Sequence, residues 1–267
     1  MEGKDYKLFI VEGEKRELEI IDNLCGVFFK HANFKVISLP AGQNIYMLWK
    51  KMKQDDFETD IIEVLRENDN SVNDLLEGIP RNYFSEVYLF FDYDVHQKNL
   101  TSDERGIDVI TEMLETFDNE TEMGKLYISY PMVEALRDYE GDKCGNVNDC
   151  YFLIKNSNHY KEISAKKQRN LSFSKYTYRE WFEIINVFAM RVSCFLNEGI
   201  LFTYTDYGDC VDPMVIYQKE KEEMERERVF ILSAFPEFLL DYHKVDFWNS
   251  RIKTTGKSMQ QCKGRCK

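Results

Sequence analysis

Two short stretches of this chain end an apolar run on carboxylates. LFIVEGEKRE (8–17) runs from Leu8 to Val11 and then places Glu12, Gly13, Glu14 and Glu17. VYLFFDYD (87–94) runs from Val87 to Phe91 and then gives Asp92 and Asp94. Residues i and i+2 of an extended chain face the same way, so Asp92 and Asp94 share a side while Tyr93 points elsewhere. Gly13 permits a tight turn directly after Glu12. If the two strands are neighbours, Glu12, Asp92 and Asp94 converge. Three such anions repel one another, and a divalent cation relieves the repulsion. Oxygen ligands with no paired histidines favour Mg²⁺ or Mn²⁺ over Zn²⁺. One such ion, or two about 3.5–4 Å apart, suits water activation against a phosphodiester. Each motif taken singly is equally a cap or a turn; their order and their matching strand ends are what join them.

The elements that must position these acids can be read from periodicity and punctuation. Strands are expected at 6–11, 34–40, 86–92 and 125–131. A helix is expected at 15–30, with Leu18, Ile21, Leu24, Cys25 and Phe28 on one face, and two short helices within 43–68. SVNDLLEGIP (71–80) reads as a short helix and turn, with Ser71 and Asp74 in capping-box spacing. Thr101 and Glu104 have the same spacing before an amphipathic helix that carries Ile107, Ile110, Met113, Leu114 and Phe117. MVEALRDY (132–139) resumes as helix. Alternating strands and helices imply an α/β fold with a mostly parallel sheet flanked by helices. Ligands of such sheets bind off the carboxyl ends of the strands, where both acidic motifs stand. Three regions follow: 1–140 as the α/β domain, 141–250 as a helical C-terminal region, and 251–267 as a basic tail. In the second region, Thr177 and Glu180 open a long helix. Asp212 and Pro213 open another that is expected to run through Val229–Leu232.

The chain has 267 residues and a formal net charge of −12. That balance argues against a generic nucleic-acid coat, which needs cationic surface, but leaves room for a nuclease with acids at its metal and a local basic groove. Positive charge is clustered between Lys155 and Arg179, against the single acid Glu162, and again from Arg251 to Lys267, where there is no acid. A solvated loop and a frayed tail are the competing readings. The first residues, MEGKDYKLFIV, do not read as a signal peptide, and no run approaches the roughly 18 apolar residues of a membrane span. Seven scattered cysteines fit a reducing compartment. The expectation is a cytoplasmic protein with no membrane partner.

FIVEGEKRELEI followed by YLFFDYDVH resembles the topoisomerase–primase (TOPRIM) domain, a Rossmann-like fold with a glutamate ending its first strand and an Asp-x-Asp ending its third. LYISYPMVEAL and VFILSAFPEFLLDY are similar to segments of small TOPRIM proteins of bacterial phage defence. Those are related to the nuclease half of the overcoming-lysogenization-defect (OLD) family. The resemblance covers 6–140 well and the remainder loosely. It implies a Mg²⁺- or Mn²⁺-dependent nuclease acting on RNA or DNA, and a defence effector that arrests an infected host. Glu12, Asp92 and Asp94 match the family's catalytic and metal-binding acids. Glu17 matches a further acid after the first turn, with an exposed helix-start residue as the alternative. Glu134 matches the acid after Tyr-Pro, again with a helix-start role as the alternative. No GxxxxGK[ST] loop occurs, so any ATPase must be a separate chain or another defence-system subunit.

Lesser candidates are His96 and Lys98, as phosphate contacts or solvated loop residues. Lys166, Lys167 and Arg169 are candidates for a groove along a nucleic-acid backbone, with Tyr176 and Tyr178 as stacking faces or as core. Cys144, Cys150, Cys262 and Cys266 have spacings unlike common zinc fingers. Two other functions stay open: a primase-like phosphotransfer enzyme, and a regulatory subunit with a degenerate site that binds a partner protein.

Overall fold

A computed structural model describes residues 5–13, 15–39, 44–68, 70–93, 108–139, 150–166 and 172–251. The fold is α/β. Strands β1 (Tyr6–Val11), β2 (Asn33–Ser38), β3 (Phe84–Asp92), β4 (Asp118–Asn119) and β5 (Gly124–Ser129) form one sheet in the order β2-β1-β3-β5-β4. It is mostly parallel: β1 pairs in parallel with both β2 and β3, and only the short β4 is antiparallel to β5. Leu8 to Val11 are all buried, as are Val87 to Phe91, which is why both strands read as unbroken apolar runs rather than alternating ones. Phe9 stacks between Phe34 and Tyr88 at 5.2 and 5.6 Å. Among the described residues no helix is long and apolar enough to cross a membrane.

The chain divides into two compact units, one of residues 1–91 with 97–126 and one of residues 92–96 with 127–267. In the first, α1 (Arg16–Phe28), α2 (Ile45–Gln54), α3 (Ile61–Asn68), α4 (Asn70–Leu75) and α5 (Val109–Thr116) accompany the strands. The buried stripe of α1 is Glu17, Ile20, Ile21 and Leu24, so the expected face is rotated and an acid belongs to it. Helix α4 begins at Asn70, so Ser71 is its second residue rather than the residue before it. Helix α5 starts at Val109 because Asp108 caps it, accepting from the Thr111 N–H at 3.2 Å. Thr101 and Glu104 lie outside the described residues, and the described helix does not begin with them. Gly124 has φ +114°, and a Cβ there would stand 2.6 Å from Leu89 Cδ1. Glycine is therefore required where the turn after β4 enters β5.

The second unit contains a small antiparallel pair that periodicity did not reveal, β6 (Tyr151–Leu153) with β7 (Arg228–Phe230). Its helices are α6 (Tyr160–Lys166), α7 (Tyr178–Leu196), α8 (Tyr204–Cys210), α9 (Pro213–Met224) and α10 (Ala234–Arg251). The Thr177/Glu180 capping box opens α7 as expected, and Asp212 caps α9 with Pro213 at its first position. Two expectations fail. MVEALRDY forms only a short 3-10 helix, Val133–Arg137. The helix after Asp212 ends at Met224; Glu227 takes φ +57°, and the β-branched and aromatic residues beyond it pair as β7.

Glu220, on α9, is fully buried. Its Oε2 accepts from the Phe230 N–H at 3.0 Å, and its Oε1 has no hydrogen-bond partner among the described residues. Burial pushes its carboxyl well above the usual range, with the Phe230 N–H opposing and Glu223 adding to the rise. The folded chain thus keeps a proton that the unfolded chain releases above its ordinary value of 4.5. The stability from this neutral acid is complete below that value and is lost as pH rises toward the folded one. Urea unfolding between about pH 5 and about pH 8 should show stability falling, at most about 1.4 kcal/mol per pH unit from this group. Glu220→Gln should flatten the dependence; an identical slope in the variant would assign the effect to other groups.

Candidate functional site

Parallel pairing places Val11 opposite Phe90. The chain therefore leaves β1 and β3 at the same end of the sheet, one residue before Glu12 and two before Asp92. This is the carboxyl end, where open α/β sheets bind ligands.

Glu12 directly follows β1 and is partly exposed. Its Oε1 accepts from the Ile45 N–H at 2.7 Å, at the first residue of α2. Asn44, the N-cap of that helix, accepts from the Met47 N–H at 2.9 Å. Two of the N–H groups that a helix start leaves without an internal partner are thereby satisfied. A carboxylate at that position also meets the positive end of the helix dipole. The end of β2 holds the same turn: Leu39 N–H donates to Val11 O at 2.8 Å and Ser38 Oγ to Gly13 O at 3.1 Å.

Glu17 is 8% exposed, so the exposed helix-start reading does not hold. Its carboxyl group lies over Gly13: an added Cβ there would stand 1.8 Å from Glu17 Oε2 and 2.3 Å from Oε1. Gly13 is thus needed for the close approach of a carboxylate to the strand tip. Glu12 and Glu17 thus both lie at the tip of β1, and carboxylate oxygens are hard donors of the kind Mg²⁺ takes. The spacing of Glu17 to Ile20, Ile21 and Leu24 was the signal that it faces inward.

Asp92 is the last residue of β3 and is partly exposed, whereas Tyr93 is buried. The alternation expected across Asp-x-Asp is therefore present for its first two residues. Asp94, His96, Lys98, Lys167 and Arg169 lie outside the described residues, as do Cys144, Cys262 and Cys266. Among the described residues no three His, Cys, Asp or Glu side chains group so as to hold a metal ion.

Lys166 closes α6 and is exposed. Tyr176 is 2% exposed and packs edge-on against Tyr139, Phe173 and Trp181, so it is core and offers no stacking face. Tyr178, at the start of α7, is exposed. Glu134 is fully buried within the short 3-10 helix, and its backbone carbonyl accepts from Ser164 Oγ at 3.2 Å. Sequence reasoning missed the role of the α2 start as partner of Glu12. The N-cap pattern of Asn44 before Ile45, Leu48 and Trp49 was the signal for that helix start. Comparison of the chain with protein-family models, with curated proteins and with solved structures finds no match in any of the three.

Proposed function

We propose that this chain is a metal-dependent nuclease of TOPRIM type that hydrolyses phosphodiesters of RNA or DNA, serving as an effector of bacterial anti-phage defence. One observation carries the reading: the adjacent parallel strands β1 and β3, in register at Val11 and Phe90, lead directly into Glu12 and Asp92. Glu12, Glu17, Asp92 and Asp94 would hold the cation. A bound Mg²⁺ or Mn²⁺ supplies Lewis-acid polarisation of a phosphodiester oxygen and an acidified water. The protein's own part is to fix carboxylate positions on strand ends, with Gly13 admitting Glu17 and the α2 start orienting Glu12 through Ile45.

A second reading is a partner-binding subunit with a degenerate site. It is favoured by the hydrogen bond from Ile45 to Glu12, which gives that acid a structural role. Two variants separate the readings. Glu12→Gln keeps an oxygen for the Ile45 N–H, whereas Glu12→Ala removes it at a cost of about 1 kcal/mol, as for a lost cap. Labelled RNA and DNA are incubated with each protein, with Mn²⁺ or with chelator. The nuclease reading expects Mn²⁺-dependent cutting by the parent and its loss in both variants. Full cutting by Glu12→Gln would restrict Glu12 to capping, and no cutting by the parent under any metal would favour the binding subunit.

A further inference from the structure

The residue between the two aspartates is held far more firmly than a loop residue requires. Tyr93 is 3% exposed. Its N–H donates to Ser129 O at 3.0 Å, and its hydroxyl donates to Met224 Sδ at 2.9 Å. Its ring lies 5.5 Å from that of Tyr130 and 6.5 Å from that of Tyr217. These partners come from the end of β5, the residue after it, and the body and last residue of α9. They are fixed in turn. Tyr130 exchanges backbone hydrogen bonds with Leu232 at 2.8 and 3.1 Å, and Ser129 Oγ accepts from the Ala234 N–H at 3.2 Å. Asp92 and Tyr93 accordingly group with the second unit.

We propose that Tyr93 is the positioning residue of Asp92, and that the second unit, with which both residues group, holds that acid by clamping its neighbour. The inference rests on the metal-site reading above. Asp92 precedes Tyr93 directly, so pinning the Tyr93 amide, ring and hydroxyl restricts the backbone torsions that aim the Asp92 carboxylate. Successive residues at the end of a strand face opposite ways, so the clamp on buried Tyr93 leaves the partly exposed Asp92 for ligand. Metal ligands must be held within about 0.5 Å of working geometry, and groups that orient them act through rigidity rather than contact.

The test is Mn²⁺ affinity measured by electron paramagnetic resonance on the full chain, with thermal unfolding in parallel. Tyr93→Ala is compared with Asp92→Ala and with Phe195→Ala. Phe195 stacks on Phe230 at 4.4 Å and provides a core lesion unrelated to the acids. Tyr93→Ala is expected to weaken Mn²⁺ binding on the order of 10-fold or more. Phe195→Ala should lower the unfolding midpoint comparably while binding Mn²⁺ as the parent does. Tyr93→Phe, which keeps the ring, should restore binding to within about threefold of the parent, a rescue expected when ring packing provides most of the restraint. If Tyr93→Ala does not fold, Tyr93→Leu takes its place with the same expectation. Parent-like Mn²⁺ affinity in the folded Tyr93 variant, with binding lost in Asp92→Ala, overturns the clamp and leaves the metal site standing. Equal weakening in Phe195→Ala also overturns it, by making the effect one of general stability. No Mn²⁺ binding by the parent, or unchanged binding in Asp92→Ala, overturns the metal site and the clamp together.

Discussion

Asp92→Asn is expected to abolish most metal-dependent cleavage while the chain stays folded. The substitution keeps the shape of the side chain and the strand that carries it, since Asp92 closes β3 beside β1. It removes the negative charge that a hard cation selects. A comparable loss of one electrostatic contact to a reacting group lowers turnover on the order of 10²–10³-fold. Asp92 is partly exposed, so the unfolding free energy should change by no more than about 1 kcal/mol. The measurement is initial cleavage rate on labelled RNA and DNA at saturating Mn²⁺, with urea unfolding of the same preparations. Parent-like rates in a folded Asp92→Asn protein would assign any cleavage to other residues.

The largest stability effect should come from Trp181. It lies in the first turn of α7 and is fully buried. Tyr176 packs against it edge-on at 5.8 Å, and the aromatic chain continues through Phe173, over which the Arg137 guanidinium sits at 4.4 Å. Trp181→Ala removes a large apolar volume from this stack. The neighbouring residues are held by the Thr177/Glu180 capping box and by α7 itself, so the cavity cannot close easily. The expected cost is about 3–5 kcal/mol. Against a typical total of about 5–15 kcal/mol, that is roughly a fifth or more of the stability of an ordinary domain. Urea denaturation followed by far-ultraviolet circular dichroism should show the midpoint falling accordingly. Trp181→Phe, which keeps one ring, should cost less. A loss below about 1 kcal/mol for the alanine variant would mean that the 173–181 segment does not pack as described.

Both effects trace to residues whose types were legible in the chain, but legibility was uneven. The strands at 6–11 and near 86–92 stood out because fully buried parallel strands are continuous apolar runs. The starts of α7 and α9 stood out because cap chemistry operates within one turn. The pair β6–β7 did not, because Tyr151–Leu153 and Arg228–Phe230 are three residues each and pair across some 75 positions. The 229–232 apolar run reads as helix for the same reason: short apolar runs carry no period that separates strand from helix. Tyr176 could be core or a stacking face by type alone, and only its burial makes it core.

The sequence by itself determined the alternation of strands and helices, the caps of α7 and α9, and the presence of carboxylates at two strand ends. All of these are encoded in spacings of a few residues, through side-chain direction and local hydrogen bonding. Only the tertiary structure decided that β1 and β3 are neighbours in register. It alone decided that Glu17 folds over Gly13 and that Glu12 holds a helix start 33 residues away. It also decided that Tyr93 is pinned by a methionine 131 residues later. Strand pairing and side-chain packing join segments that are distant in the chain. The free energy that selects those partners comes from burial and complementarity over the whole core, which no local pattern records.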